Sequence, residues 1–168
     1  MLIFLVGFMG SGKTHWGQRW SQAYRIPFID LDDAIEAAEG KTIQDIFAVH
    51  GESYFRDIET KTLRDLSTQK NLLIACGGGT PCFHGNMQWM NEHGITIYVT
   101  APADVIMMRV MTQQDKRPLL KDMNPIELLA YIEQTIQNRE PYYSEAKITL
   151  VEADITTETF EKAIINSQ

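Results

Sequence analysis

The order of apolar and polar positions divides the chain into short strands and amphipathic helices that follow one another in turn. Leu2–Val6 is an unbroken apolar run, as a strand buried on both faces requires. From Thr14 to Tyr24 the side chains of Trp16, Trp20, Ala23 and Tyr24 recur at helical spacing and read as core or sheet-facing residues. Ile26–Asp30 reads as a second strand, with Pro27 at its beginning. Ala34–Glu39 is a short helix stopped by Gly40. Thr42 is placed to cap Ile43–His50, Gly51 breaks that segment, and Glu52–Leu66 continues with Phe55, Ile58, Thr62, Leu63 and Leu66 on one face.

Further strands at Leu72–Cys76, Ile95–Thr100 and Ile148–Val151 alternate with helices at His84–His93, Pro102–Met111, Pro125 to about Arg139, and Thr157–Ile165. Glu140-Pro141 is expected to end the helix before it, leaving Tyr142–Ala146 as a turn. Thr112–Asn124 is polar and charged and reads as a mobile loop. Alternating strands and helices predict an α/β fold, a parallel sheet covered on both faces with right-handed crossovers. Ligands in such folds sit beyond the C-terminal ends of the strands. The helices between residues 33 and 66 exceed a simple crossover, and extra helices at that point are where a substrate site is expected.

With 168 residues the chain suits one domain, residues 1–168, with one sizeable core. A composition of 44% hydrophobic and 22% charged residues is ordinary for a globular protein. No apolar run approaches the roughly 20 residues that cross a bilayer. The start, MLIFLVGF, lacks the basic leader and cleavage site of a signal peptide and reads as the first strand. A net charge of −7 argues against nucleic acid or a membrane surface as partner, although a few placed arginines can still hold an anion. The two cysteines, Cys76 and Cys82, fit neither a zinc site nor a disulfide framework. Cys76 ends an apolar run and reads as a buried thiol, which suits a reducing cytoplasm.

The chemistry starts directly after the first strand. Gly7-Phe8-Met9-Gly10-Ser11-Gly12-Lys13-Thr14 fits G-x-x-x-x-G-K-[ST] between a strand and a helix, the context that makes this pattern a nucleotide phosphate site. Gly7, Gly10 and Gly12 let backbone N–H groups approach an anion, and the helix N-terminus adds unpaired donors. Lys13 can reach the β- and γ-phosphates, and the Thr14 hydroxyl can bind Mg²⁺. Asp30 and Asp32 follow the second strand on one side of an extended chain. Asp30 suits the metal; Asp32 suits a substrate hydroxyl, whose proton it could take, with helix capping by Asp32 or Asp33 as the alternative. Gly77-Gly78-Gly79 ends the third strand and suggests backbone donors facing a ligand, or simply a tight turn. Arg56, Arg117 and Arg139 can each fork onto carboxylate or phosphate, and Glu59 is one helical turn from Arg56.

Together, GFMGSGKT at 7–14, FIDLD at 28–32, GESYFRDIE at 51–59, CGGGTP at 76–81, RPLL at 117–120 and NREPYY at 138–143 resemble the shikimate kinase family of P-loop small-molecule kinases. The resemblance runs from Leu2 to about Val151, and residues 152–168 add nothing to it. It implies a P-loop kinase fold, three layers α/β/α with a five-stranded parallel sheet in the order 2-3-1-4-5. It also implies transfer of the γ-phosphate of ATP to the 3-hydroxyl of shikimate, on the route to chorismate and the aromatic amino acids, with Mg²⁺ as cofactor. By position, Gly10, Ser11, Gly12, Lys13, Thr14 and Arg117 would hold ATP, and Thr14 with Asp30 would serve Mg²⁺. Asp32, Arg56, Gly78, Gly79 and Arg139 would hold shikimate, and Lys13, Asp32 and Arg117 would be catalytic. Residues 112–124 would be the lid, and Arg109 is a candidate for the adenine side. Ala75 stands where many members carry Ser or Thr, which removes one hydroxyl near the metal's water shell. A cytoplasmic monomer is expected. The rival readings are a kinase of another polyol acid such as gluconate, and a nucleotide-binding module without catalysis.

Overall fold

The computed structural model describes residues 1–112 and 123–165. Five strands, β1 (Leu2–Val6), β2 (Phe28–Asp30), β3 (Leu72–Ala75), β4 (Ile95–Thr100) and β5 (Ile148–Val151), form one sheet. Its order is β2-β3-β1-β4-β5, and every neighbouring pair is parallel. The helices are α1 (Lys13–Tyr24), α2 (Leu31–Glu39), α3 (Ile43–Leu66), α4 (Asn86–His93), α5 (Ala103–Met111), α6 (Pro125–Tyr143) and α7 (Thr157–Ile165). None of them, among the described residues, is long and apolar enough to cross a membrane.

The central strand explains the three layers. Side chains alternate along a strand, so an all-apolar β1 must feed two cores. Phe4 and Val6 join one cluster with Leu31, Ile35, Leu63, Met90, Ile106, Leu128 and Tyr143, contributed by α2 through α6. Ile3 and Leu5 join a second cluster with Trp20 of α1 and Phe160 and Ile164 of α7. Trp20 stacks on Phe160 with ring centroids 4.7 Å apart, so Trp20 is a core residue, as its spacing predicts. Each large side chain removed from water in this way contributes about 1.5–3 kcal/mol.

The register aligns the strand ends that matter. Ala75 pairs with Leu5 on one side and with Asp30 on the other. The connections that leave β1, β2 and β3 therefore emerge together, which brings the glycine loop, Asp30/Asp32 and the triple glycine to one sheet edge.

Several boundaries differ from the sequence reading for local reasons. Strand β2 begins at Phe28, and helix α2 begins at Leu31, three residues before Ala34. Asp30 is the cap, its side chain accepting from the Asp32 N–H at 3.1 Å, so capping by Asp32 or Asp33 is corrected. Asp32 consequently lies in the first turn of α2 and not on an extended strand. Helix α4 starts at Asn86, because His84 and Gly85 take left-handed φ values of 50° and 66° after a 3₁₀ turn at Thr80–Cys82. Gly51 interrupts α3 with φ 79° and ψ 178°, as expected. The expected break at Glu140-Pro141 does not occur. Pro141 lies inside α6, which runs on to Tyr143, with the Ser144 N–H donating to the Glu140 carbonyl at 2.9 Å. A proline forfeits one backbone bond, and here the buried Tyr143 anchors the last turn against that loss.

Gly17 of α1 shows how closely this helix sits on the sheet. A Cβ there would lie 2.4 Å from Phe28 Cε2 and 3.2 Å from Leu5 Cδ1. Helix propensity alone favours Gly→Ala by about 1 kcal/mol. Overpacking costs about 1–3 kcal/mol and should win. Gly17→Ala is expected to lower the denaturant midpoint in equilibrium unfolding; a higher midpoint would contradict the close helix–sheet contact.

Candidate active site

The glycine loop is a preformed anion cradle. Gly7, Gly10 and Gly12 have φ values of 139°, 76° and 104°, and a Cβ on Gly7 would lie 2.4 Å from the Val99 carbonyl oxygen. Only glycine fits such a position without strain. Lys13 is 8% exposed, and its ammonium donates to the Gly7 and Phe8 carbonyls at 2.8 and 2.9 Å. The lysine therefore braces the loop that presents the backbone donors. Ser11 Oγ is buried with no hydrogen-bond partner among the described residues, a polar atom held inside the cradle. Thr14 Oγ1 donates to Asp30 Oδ2 at 2.8 Å. One carboxylate thus caps α2 with one oxygen and meets the loop threonine with the other. A Mg²⁺ ion retains several waters and takes other ligands from phosphate oxygens. Two hard protein oxygens at the end of a phosphate loop fit such an ion.

A cavity of about 590 Å³ opens beside the loop. Gly10, Gly12, Lys13 and Thr14 line it from β1, Asp30, Asp32, Gly77 and Gly78 from the β2–β3 side, and Arg109, Thr112 and Glu152 from the β4–β5 side. Arg56, Gly79 and Arg139 do not line it; Gly79 continues the turn whose Gly77 and Gly78 form its wall, and the two arginines lie against that turn.

That turn gives a physical reason for three glycines. A Cβ on Gly79 would meet the Arg56 guanidinium at 2.6–2.9 Å from Nη2, Nη1 and Cζ. On Gly78 it would lie 3.2 Å from Arg139 Nη1, and on Gly77 it would lie 2.9 Å from Glu59 Oε1 and 3.2 Å from Asp32 Oδ1. None of the three has positive φ. The requirement is therefore for space beside charged side chains. Room for guanidinium and carboxylate groups is what the run of glycines provides.

Arg56 is 8% exposed and held on all sides. Its Nη1 donates to Glu59 at 2.8 Å, and its Nε and Nη2 donate to Glu52 at 3.2 and 3.1 Å. Its Cζ lies 4.2 Å from the Phe83 ring centroid and 5.1 Å from that of Phe55, as cation–π contacts allow. Glu59 has no exposure and also accepts from Thr80 Oγ1 at 2.5 Å; Asn86 Nδ2 donates to the Thr80 carbonyl at 3.1 Å and to Thr60 Oγ1 at 3.0 Å. Buried charges need this kind of pairing. Glu59 is thus both the partner of Arg56 and the group that orients it. Arg139 of α6 is partly buried beside Gly78, with Cζ 5.8 Å from the Phe8 ring centroid.

Burial raises the titration points of the uncharged groups here. The Cys76 thiol is pushed up chiefly by burial and then by Glu59, so it is no nucleophile. Cys82 is raised by burial, against the pull of Arg139 and Arg56. Tyr98 is pushed up to about 12, first by burial. The Asp33 carboxyl is raised by burial and then by the neighbouring Asp30 and Glu36.

The structure thus gathers Gly10, Ser11, Gly12, Lys13, Thr14, Asp30, Asp32, Arg56, Gly78, Gly79 and Arg139 around one sheet edge. Arg117 and the RPLL stretch lie outside the described residues, as does residue range 113–122 of the expected lid. Sequence reasoning missed Glu152, which lines the cavity, pairs with Arg109 at 2.9 Å and accepts from Trp16 Nε1 at 3.4 Å. Arg109 also donates to the Gly10 carbonyl at 3.0 Å. No motif marks Glu152, so residues 152–168 contribute to the site although they add nothing to the resemblance. Glu52 was legible as the residue four before Arg56, a helical pairing distance.

The family profile described as shikimate kinase matches residues 9–167. A shikimate kinase from Parabacteroides distasonis is 38% identical over 165 residues, covering 98% of this chain and 95% of its own. The crystal structure of shikimate kinase from Bacteroides thetaiotaomicron superposes with a TM-score of 0.89 at 34% identity, covering 100% of this chain and 96% of that one. The shikimate kinase from Acinetobacter baumannii, solved in complex with shikimate, superposes with a TM-score of 0.86 at 30% identity, covering 99% of this chain and 94% of that one. With the five-stranded order and the loop geometry, these matches assign the fold and the activity: the chain belongs to the shikimate kinase family, enzymes that phosphorylate shikimate with ATP.

Proposed function

We propose that the protein transfers the γ-phosphoryl group of ATP to the 3-hydroxyl of shikimate, with the acceptor held between Asp32 and the Arg56/Arg139 pair. The observation that carries this is the packing of two guanidinium groups against Gly78 and Gly79, beside Asp32 and one loop away from the phosphate cradle. A small acid with several hydroxyls calls for that set: forked cations for its carboxylate and an acceptor oxygen for its hydroxyls. Gluconate as the acceptor, and binding without catalysis, are set aside with the family assignment.

In this reading Gly10, Ser11, Gly12, Lys13 and Thr14 receive the nucleotide phosphates. Asp32, which lines the cavity from the first turn of α2, orients the attacking hydroxyl and takes its proton. Gly78 and Gly79 add backbone donors to the carboxylate. Thr14 and Asp30 are the residues that would hold Mg²⁺, and the ion, when bound, neutralises charge on the phosphate oxygens. Lys13 stabilises charge that spreads over the phosphoryl oxygens in the transition state, a role the family resemblance extends to Arg117. The lid that the family resemblance implies for residues 112–124 would exclude water and limit ATP hydrolysis. The two free thiols, Cys76 and Cys82, suit the cytoplasm, and the net charge of −7 suits small anionic substrates held by a few placed arginines in place of a nucleic acid or a membrane.

The direct test is a coupled assay of ADP release. Release should depend on shikimate and Mg²⁺ and be absent with gluconate; release with gluconate and none with shikimate would overturn the acceptor. Asp32→Asn should keep ATP affinity and lower kcat by about 10²-fold or more. Turnover equal to wild type would remove the proton-accepting role. Arg56→Lys keeps a cation beside Glu59 but loses the fork, so the shikimate KM should rise at least about tenfold with the ATP KM unchanged. An effect on the ATP KM alone would contradict the clamp.

A further inference from the structure

Tyr143, the last residue of α6, has no solvent exposure. Its hydroxyl donates to the Gly78 carbonyl at 2.5 Å, and Arg139 Nη1 abuts the same glycine, 3.2 Å from where a Gly78 Cβ would lie. Its ring lies 5.0 Å from that of Tyr98 in β4, whose own hydroxyl donates to Glu140 at 2.9 Å. The residues flanking Pro141 are thereby tied to the sheet and to the glycine turn, which accounts for a helix that continues through a proline. Burial raises the Tyr143 phenol well above its usual range, so it keeps its proton and remains a donor.

The geometry of the peptide carries the consequence. In a trans peptide the C=O and the N–H point in opposite directions. A hydroxyl that holds the Gly78 carbonyl on the Tyr143 side turns the Gly79 N–H to the opposite side of the same peptide plane. Three glycines in a row have no side chains to fix that plane, so it is the part of the turn with the greatest freedom to rotate. Arg139 lies one helical turn before Tyr143, and its guanidinium abuts the same glycine, so the direction of that peptide bears on where the guanidinium packs.

We infer that Tyr143 is a positioning residue for the acceptor: one buried hydroxyl sets the direction of the Gly78–Gly79 peptide, against which the Arg139 guanidinium packs. This inference rests on the proposed carboxylate clamp. It adds to that clamp a residue that itself touches no substrate.

Tyr143→Phe keeps the ring and its contact with Tyr98 and removes only the hydroxyl. In steady-state kinetics the shikimate KM should rise about tenfold, as loss of a buried hydrogen bond implies, while the ATP KM stays unchanged. Tyr142→Phe, at the 40% exposed neighbour, should leave both constants unchanged. With the methyl ester of shikimate, which lacks the carboxylate charge, the Tyr143→Phe penalty should shrink to below about twofold. A purely structural role would lower Tm and leave the shikimate KM in place. An unchanged shikimate KM, an equal rise in both KM values, or an undiminished penalty with the ester overturns the inference. Arg139→Ala, measured in parallel, separates the two levels. If it leaves the shikimate KM unchanged, the clamp fails and the inference with it. If it raises the shikimate KM and Tyr143→Phe does not, only the positioning role fails.

Discussion

The proposed acceptor side of this protein depends on one close approach, that of the Arg56 guanidinium to the backbone of Gly79. A cation that is 8% exposed is tolerable only when its charge is answered. Glu59, with no exposure, supplies the answer and is itself held by Thr80. Glu52 takes the other edge of the guanidinium, and Phe83 and Phe55 cover its faces. The glycine at position 79 is the remaining condition, since any side chain would occupy the space of the guanidinium itself. Remove one member and the others are left buried without compensation, which costs more than the lost contact alone.

The donor side has a comparable economy. Asp30 caps α2 with one oxygen and meets Thr14 with the other, so a single carboxylate joins the second strand, the following helix and the phosphate loop. Because Asp30 takes the cap, Asp32 can face the cavity from the first turn of the helix. The parallel register of β1, β2 and β3 brings these pieces to one edge. The cavity beside the phosphate loop and the Arg56/Arg139 guanidinium groups are therefore separated only by a wall of glycines.

Much of this was legible in the sequence because it is local. Apolar runs marked the strands, the spacing of Gly7, Gly10, Gly12, Lys13 and Thr14 marked the loop, and the order of the sheet came with the family resemblance. The failures were contests between neighbouring signals. Three aspartates stand near the start of α2, and spacing alone did not say that Asp30 would be the cap. Pro141 signals a helix end, and the long-range anchoring of Tyr143 to Gly78 and of Glu140 to Tyr98 overrides it. The triple glycine was visible, but its reason was not: it makes room for side chains that are 23 and 61 residues away. Glu152 carries no motif and meets Arg109 across 43 residues, so nothing local could have placed it in the cavity.

The central claim, that glycine is required at position 79 by the Arg56 guanidinium, is tested most directly by the steady-state kinetics of Gly79→Ala. The backbone there, with φ −93° and ψ −14°, accepts alanine without strain, so the methyl group tests space alone. The predicted result is a shikimate KM raised at least about tenfold with the ATP KM unchanged. A shikimate KM equal to that of the unaltered protein would contradict it.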